Sequence, residues 1–360
     1  MALAVERCWP RAAPLEGIAL TRYGHGLPAA RIRVVEAGHP VPDEAGERAA
    51  RAMLEAARSL GPDDLLLALV SGGGSALLSL PAAGVTMDSL KAVTRELLRS
   101  GATIQEINTV RKHLSAVQGG RLAAASRAPV LALIISDVTG DDPTHVASGP
   151  CAPDPTSCGD AAAVLARYRI ASPGGLSETP KPGDPVFRRV ENRVIATARR
   201  SLEAAAALFR AQGVAAEILG DAITGEASEV ARSMAAQVRT GAFRPPIVLI
   251  SGGECTVTVG AGGGRGGRCS EFLLALGVAL GERGVHAIAA DTDGIDGSED
   301  NAGALLAPDS LERARALGLD AAQLLAAHDS YAFFAALGDL LVTGPTRTNV
   351  NDYRAILVTR

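Results

Sequence analysis

The residues best suited to chemistry lie in two acidic loops, each following an apolar run. In "VHAIAADTDGIDGSEDNAGA" five carboxylates, Asp291, Asp293, Asp296, Glu299 and Asp300, fall within ten residues, with Glu271 upstream on a helical pattern. Carboxylates so spaced can hold a divalent cation or accept a proton from a hydroxyl. The DxDxDG order and the closing glutamate of an EF-hand are absent. In "PVLALIISDVTGDDPTHVASGP" Asp137 ends a buried-strand pattern, where open α/β sheets place their ligands. Asp141 and Asp142 follow closely, a grouping that suits Mg²⁺, although Asp142 before Pro143 equally shapes a turn. Asp137 is the expected functional member of the three, and the lone His145 reads as structural.

Anion binding is the second chemistry the sequence offers. "LLLALVSGGGSALL" carries an apolar strand into Ser71, Gly72, Gly73, Gly74 and Ser75. Successive glycine N–H groups and two hydroxyls make a cradle for an anion, though no Gly-Lys-Ser/Thr follows as in a Walker A loop. The same turn recurs in "IVLISGGECTVTV", which offers Ser251, Gly252, Gly253 and Glu254. Downstream, Gly262, Gly264 and Gly267 match the GxGxxG dinucleotide fingerprint, with Asp291 at about the distance of a ribose-binding acid. A run with six glycines in eight residues matches cheaply, however, and Arg265 and Arg268 intrude on that fingerprint. Two arginines there suit phosphate or carboxylate oxygens, and Arg268, opening a helical pattern, is the expected functional one. Last, "VTGPTRTNVNDYRA" presents Thr346, Thr348, Asn349 and Asn351, fit for hydroxyl or carboxylate recognition or for plain turns.

These loops need strands and helices to aim them. In the first half, "LLLALVSGGG" and "PVLALIISDVTGDD" read as buried strands. "MDSLKAVTRELLRSG" reads as an amphipathic helix closed by Gly101, and "TIQEINTVRKHLSAVQGGRLAAA" as a helical stretch broken near Gly119 and Gly120. Such alternation predicts a mostly parallel sheet with helices on both faces. "ASPGGLSETPKPGDPVF", Ala171 to Phe187, is dense in Pro, Gly and Ser and reads as the linker, after which strand and helix patterns restart at "RVIATA".

Bulk composition narrows the partners. With 360 residues, net charge −4 and 3% aromatic content, the chain fits two globular domains. It lacks both the basic surplus and the stacking platforms of a nucleic-acid binder. No apolar run reaches the roughly 18 residues that span a bilayer, and "MALAVERCWPRAAPLEG" is no signal peptide, so a cytoplasmic location is expected. Five cysteines (Cys8, Cys151, Cys158, Cys255, Cys269) form no CxxC pair, which argues for reduced thiols and against a zinc site.

Taken in order, "SGGGSALL", "GATIQEINTVRKHLSAVQGGRLA", "ISDVTGDDPTHVASGP", "SGGECTVTVGAGGGRGGR", "ADTDGIDGSEDNAGA" and "TGPTRTNVND" resemble the type 2 glycerate kinases over nearly the whole chain. The resemblance implies an α/β fold of two domains: a Rossmann-like parallel-sheet domain over 1–180, and a second α/β domain over 188–360 containing the MOFRL region, about 245–355. It implies a site in a cleft between them, lined by Ser71–Ser75 and by Ser251–Glu254. The implied reaction is ATP-dependent phosphorylation of D-glycerate, or a related hydroxy acid, to the 2-phosphate with Mg²⁺.

On this reading Arg268 and Asp293 are catalytic, and Asp137 and Asp293 hold the metal. Ser71–Ser75, Ser251–Glu254, Asp291, Thr346, Asn349 and Asn351 bind substrate or nucleotide. Family members often carry the name hydroxypyruvate reductase, so an NAD(P)H-dependent reductase and an inactive metabolite-binding remnant are the alternatives. Oligomeric state is left open, a homodimer included. The chain departs from the family pattern at three places. It opens at "MALAVERCWP", which resembles the helix after a family Gly-Lys loop and implies a shortened chain and a poor kinase. Arg268-Cys269-Ser270-Glu271 stands where the family reads Gly-Arg-Asn-Gln-Glu. Arg347 replaces a small residue.

Overall fold

The computed structural model describes residues 1–241, 243–260, 263–281 and 284–359. The chain divides into two compact units, Met1–Ile195 and Ala196–Arg360. The first unit holds two small sheets. Strands β1 (Gly17–Arg22) and β2 (Ile32–Ala37) pair in parallel, and β3 (Leu66–Val70), β4 (Val130–Ile135) and β5 (Val190–Ala196) form the other in that order, β3 and β4 parallel. The expected helices form at Met87–Arg99 and Ile104–His113. Their starts are written locally: the Thr86 hydroxyl accepts from the Ser89 N–H, and Thr103 and Glu106 make a reciprocal capping box. The expected break at Gly119–Gly120 separates the second helix from Arg121–Ala125.

The sequence placed the end of the first domain in the 171–187 segment; the units part instead between Ile195 and Ala196. Two observations give the physical reason. Strand β5 joins the first unit's sheet beside β4. The Pro-rich segment is fastened rather than loose. Arg121 donates to the carbonyls of Ser177 (2.8 Å) and Glu178 (3.1 Å), the Ser177 N–H donates to the His113 carbonyl (3.0 Å), and the Asp154 N–H to that of Pro180 (3.0 Å). Satisfied carbonyls let a segment without periodicity pack as well as a strand.

The second unit is built on a mixed sheet ordered β12–β11–β10–β13–β8–β6. Its strands are β6 (Ala215–Gly220), β8 (Ile247–Gly253), β10 (His286–Asp291), β11 (Gly303–Leu306), β12 (Leu340–Leu341) and β13 (Asp352–Val358). A separate two-stranded pair joins β7 (Gly225–Glu226) and β9 (Cys255–Thr256). Within the six-stranded sheet, among the described residues, only β6 and β8 run parallel and the other neighbours are antiparallel; β7 and β9 also pair in parallel. β8 is buried throughout because both its faces are covered. Ile247 and Leu249 pack with Met234, Phe272, Leu273, Leu276, Phe333 and Phe334, while Val248 and Ile250 pack with Leu202 and Ala206 of helix Ala198–Ala211. Helix Arg268–Leu280 lies deepest, and each large apolar side chain it buries stabilises the unit by about 1.5–3 kcal/mol. Among the described residues no helix is long and apolar enough to cross a membrane.

Candidate active site

In the first unit, β3 and β4 end side by side, Val70 paired with Ile134. The Ser71–Ser75 loop and Asp137 therefore leave neighbouring carboxyl ends of parallel strands. Gly72 is a glycine because of Asp137: a Cβ there would stand 1.8 Å from Asp137 Oδ2. Gly73, at φ +79°, begins the short helix Gly74–Leu77, and it and Gly74 lie against His39 and Ala147. Ser75 Oγ is 2.8 Å from Ser148 Oγ, which donates in turn to Asn108 Oδ1 at 3.3 Å. Buried Gln118 anchors the loop, its amide donating to the carbonyls of Ser75 (2.9 Å) and Leu78 (3.0 Å). The Asp142 carboxylate accepts from the Thr144 N–H at 2.8 Å, so it shapes its own turn; burial works to raise its pKa, and that hydrogen bond holds it below the ordinary value.

In the second unit, three neighbouring strands deliver three carboxylates to one guanidinium. Asp291 ends β10, Asp352 begins β13 directly opposite it, and Glu254 follows β8, whose Gly253 pairs with Asp352. Arg268, first residue of its helix, donates to Asp291 (2.5 Å) and Asp352 (2.8 Å), with Glu254 3.7 Å away. Both aspartates are buried; Glu254 is largely exposed. Arg354, wholly buried over the Phe272 ring, backs Asp352 at 3.9 Å and donates to Cys255 Sγ at 2.9 Å.

Burial works against the Arg268 charge, but Asp352, Asp291 and Glu254 hold its pKa above the ordinary arginine value. Burial pushes Asp291 up to about 7 although Arg268 pulls the other way, and Asp293 and Asp352 add to the rise. Asp352 is likewise raised by burial against Arg268 and Arg354. A cluster with more carboxylates than cations, some reluctant to ionise, has a use for further positive charge.

The remaining predicted residues divide between site and scaffold. Asp293 stays on the site loop: its N–H donates to Asp291 Oδ1 (3.0 Å) and its carboxylate accepts from the Ile295 N–H (2.8 Å). Thr346 and Asn349 brace that loop and its neighbour. The Thr346 hydroxyl donates to the Thr292 carbonyl and its N–H to that of Asp293 (3.0 Å), while Asn349 Oδ1 accepts from the Asn351 N–H (2.9 Å). Asn351, at φ +66°, gives its carbonyl to the Thr292 hydroxyl (2.7 Å).

The reading of the second Ser-Gly-Gly needs correction. Ser251 is buried inside β8 with its hydroxyl toward Met234 Sδ (3.9 Å). Gly252 and Gly253 serve close backbone packing: a Cβ on Gly253, at φ +114°, would lie 2.3 Å from the Ile223 backbone. Only Glu254 of that string reaches the charged cluster.

The dinucleotide fingerprint fails on geometry. Gly262 lies outside the described residues. At the helix start that would meet a pyrophosphate, the buried Asp296 carboxylate accepts from Cys269 N–H (2.9 Å), Ser270 N–H (2.8 Å) and the Ser270 hydroxyl (2.7 Å). A Cβ on Gly267 would collide with Asp296 at 2.3 Å. The protein's own anion thus satisfies the orphan N–H groups and the helix dipole. Arg265 stacks over Tyr331 at 4.9 Å, and Glu271 pairs with His328 at 2.9 Å. Sequence reasoning missed Asp352 and Arg354; the signal was a charged residue twice within an otherwise apolar terminal strand, "DYRAILV".

Comparison with known proteins bears on the family and the fold. A model described as a domain of unknown function, DUF4147, matches residues 1–178, and the MOFRL family model matches residues 247–352, from the first residue of β8 to Asp352. A protein of Agrobacterium vitis that carries a hydroxypyruvate reductase name is 54% identical over 99% of this chain and 84% of its own. A D-glycerate 2-kinase of Thermotoga maritima is 42% identical over 94% of this chain and 83% of its own. The crystal structure of a glycerate kinase from Thermotoga maritima superposes with a TM-score of 0.88 at 40% identity, covering 96% of this chain and 85% of that one. Likeness of this extent in sequence and in fold leaves one assignment: the chain belongs to the type 2 glycerate kinase family.

Proposed function

We propose that the chain is a glycerate 2-kinase, moving the terminal phosphoryl group of ATP to the 2-hydroxyl of D-glycerate and yielding 2-phosphoglycerate and ADP. The observation that carries this reading is the convergence of Asp291, Asp352 and Glu254 on Arg268 at three adjacent strand ends. Phosphoryl transfer asks mainly for positioning and for neutralisation of phosphate charge. Arg268 supplies a fixed cation with two N–H directions already set by buried aspartates, ready for a carboxylate or phosphate oxygen beside them. Asp293, on the same loop, accepts the hydroxyl proton as the oxygen attacks. In the first unit, the Ser71–Ser75 loop offers N–H and O–H donors to an anionic group. Asp137 lies directly against Gly72, so these donors share the loop end with a carboxylate.

Mg²⁺ suits hard carboxylate oxygens on strand-end loops; in the second unit Asp293, and in the first unit Asp137, is the residue that would hold such an ion. When bound, the ion would neutralise the phosphate oxygens as charge passes to the leaving ADP. The reaction is assigned to a reducing cytoplasm, in keeping with five free cysteines. A reductase, suggested by the family's hydroxypyruvate reductase names, is not favoured, because Asp296 fills the helix terminus of the dinucleotide fingerprint. The test is a coupled ADP assay run beside a nicotinamide absorbance assay. ADP formation that requires both glycerate and Mg²⁺ is expected. Loss of NAD(P)H with hydroxypyruvate, or no turnover in either assay, overturns the proposal.

A further inference from the structure

Away from the charged cluster, the first unit gathers a histidine, a cysteine and a glutamate that the kinase reading does not use. His113 closes helix Ile104–His113, Cys158 opens helix Cys158–Arg167, and Glu178 lies on the fastened 171–187 segment. One ligand atom from each, His113 Nε2, Cys158 Sγ and a Glu178 oxygen, all fall within 4.8 Å of one another. No sequence spacing announces them, because three separate elements supply them.

The histidine makes this more than a chance grouping. His113 is completely buried, and its Nδ1 lies 2.8 Å from the Thr109 carbonyl. A carbonyl can only accept, so Nδ1 carries the hydrogen, and in the neutral imidazole Nε2 then offers its lone pair to a ligand. That Nε2 is buried without a hydrogen-bond partner and faces Glu178 Oε2 at 3.8 Å, beyond hydrogen-bond range. An unpartnered buried lone pair, oriented by a backbone carbonyl on the opposite nitrogen, is the arrangement of a metal-ligating imidazole. Cys158, in the first turn of its helix, brings Sγ to the same point; burial and the Glu178 carboxylate raise its thiol pKa, so the incoming ion itself must displace the proton. Glu178 is held by the Cys158 N–H on Oε1 (2.8 Å) and by Lys181 Nζ on Oε2 (2.6 Å).

We propose that His113, Cys158 and Glu178 form a site for a borderline-soft divalent cation of the zinc class, with water in the fourth position. Binding replaces the Cys158 S–H by a metal–sulfur bond and releases one proton to solvent. Tetrahedral zinc sets its ligands about 3.3–3.8 Å apart, so closure needs a contraction of about 1 Å, within reach of the Cys158 and Glu178 side chains. The Lys181 ammonium occupies Glu178 beforehand and competes with the metal; when displaced it keeps the Thr179 hydroxyl (2.8 Å) and the Thr156 carbonyl as acceptors. The bound ion would pin the 171–187 segment to two helices, a structural role separate from phosphoryl transfer.

The test is a Co²⁺ titration of the full chain after chelator treatment, followed by the thiolate-to-cobalt charge-transfer band. A carboxylate-only site cannot produce that band. One equivalent is expected, with the band abolished by Cys158→Ser, binding weakened at least tenfold by Glu178→Gln, and no change with Cys8→Ser. Both site variants are isosteric and should melt like the parent without metal. Lys181→Met should bind more tightly. Zn²⁺ should raise the parent melting temperature and leave that of Cys158→Ser unchanged. Absence of the band, its survival in Cys158→Ser, or its loss in Cys8→Ser overturns the proposal and leaves only a loose His113–Glu178 contact.

Discussion

The two Ser-Gly-Gly strings look alike in the sequence and differ in what presses on them. In the first, β3 has already ended, and the space over Gly72 is taken by the side-chain carboxylate of Asp137. In the second, β8 runs on through Gly253, and the space over that glycine is taken by the Ile223 backbone. A side-chain neighbour can swing away; a backbone neighbour cannot without moving its strand. The first string is therefore a matter of site geometry and the second of folding, and each can be disturbed separately.

The largest effect should come just after the second string. Arg268→Met leaves Asp291 buried and unpaired, and Asp352 with Arg354 alone at 3.9 Å. It should cost about 3–5 kcal/mol of stability and lower kcat/KM by about 10²–10³, read by urea denaturation and the ADP assay. Gly253→Ala comes next, at about 3 kcal/mol or more from a positive φ and backbone overlap; a urea midpoint equal to the parent's would break the contrast. Gly72→Ala should keep a near-parent midpoint yet lose about 10² in kcat/KM, because it displaces Asp137. Equal damage to stability would place Gly72 with Gly253.

A pH series sharpens the comparison between the units. Asp352, raised by burial, binds its proton more tightly folded than unfolded, so its contribution is full below the ordinary aspartate range and is lost as pH rises through its folded value. Asp154 behaves oppositely. Burial opposes its charge, but Lys112, 2.8 Å away and equally buried, holds it below the ordinary value, so its contribution persists until pH falls through that lowered value. From pH 7 to 5, with exchange corrected for its intrinsic slowing in acid, protection in β10 and β13, which carry Asp291 and Asp352, should rise while protection around Asp154 stays level. The smallest effect belongs to Ser251→Ala, under about 1 kcal/mol, with kcat/KM within about twofold of the parent.

Much of this was legible in the sequence. The apolar runs of β3, β4 and β8 and the helix-ending glycines, Gly101 and Gly119–Gly120, declared their elements, because burial and turn chemistry act over a few residues. What escaped depends on distant partners. The 171–187 segment looked like a linker because its order comes from Arg121, Asp154 and His113 rather than from its own periodicity. Arg268 and Asp291 were readable as candidates, but Asp352 was not, since only sheet register sets it opposite Asp291. Asp296 looked like one more acid of a metal loop until the helix it caps came into view.

The charged cluster is spaced by the sheet itself. Glu254, Asp352 and Asp291 stand at the ends of three hydrogen-bonded neighbours, so their separation follows the inter-strand pitch of about 4.8 Å rather than side-chain packing. Sequence drift in the surrounding core can change how firmly the row is supported but hardly its gauge. A slip of one residue in β13 would turn Asp352 to the opposite face and dismantle the row at a stroke. Descendants of this chain are thus free to vary what they bind through the loops that end each strand, while the carboxylate row beneath is inherited whole or lost whole.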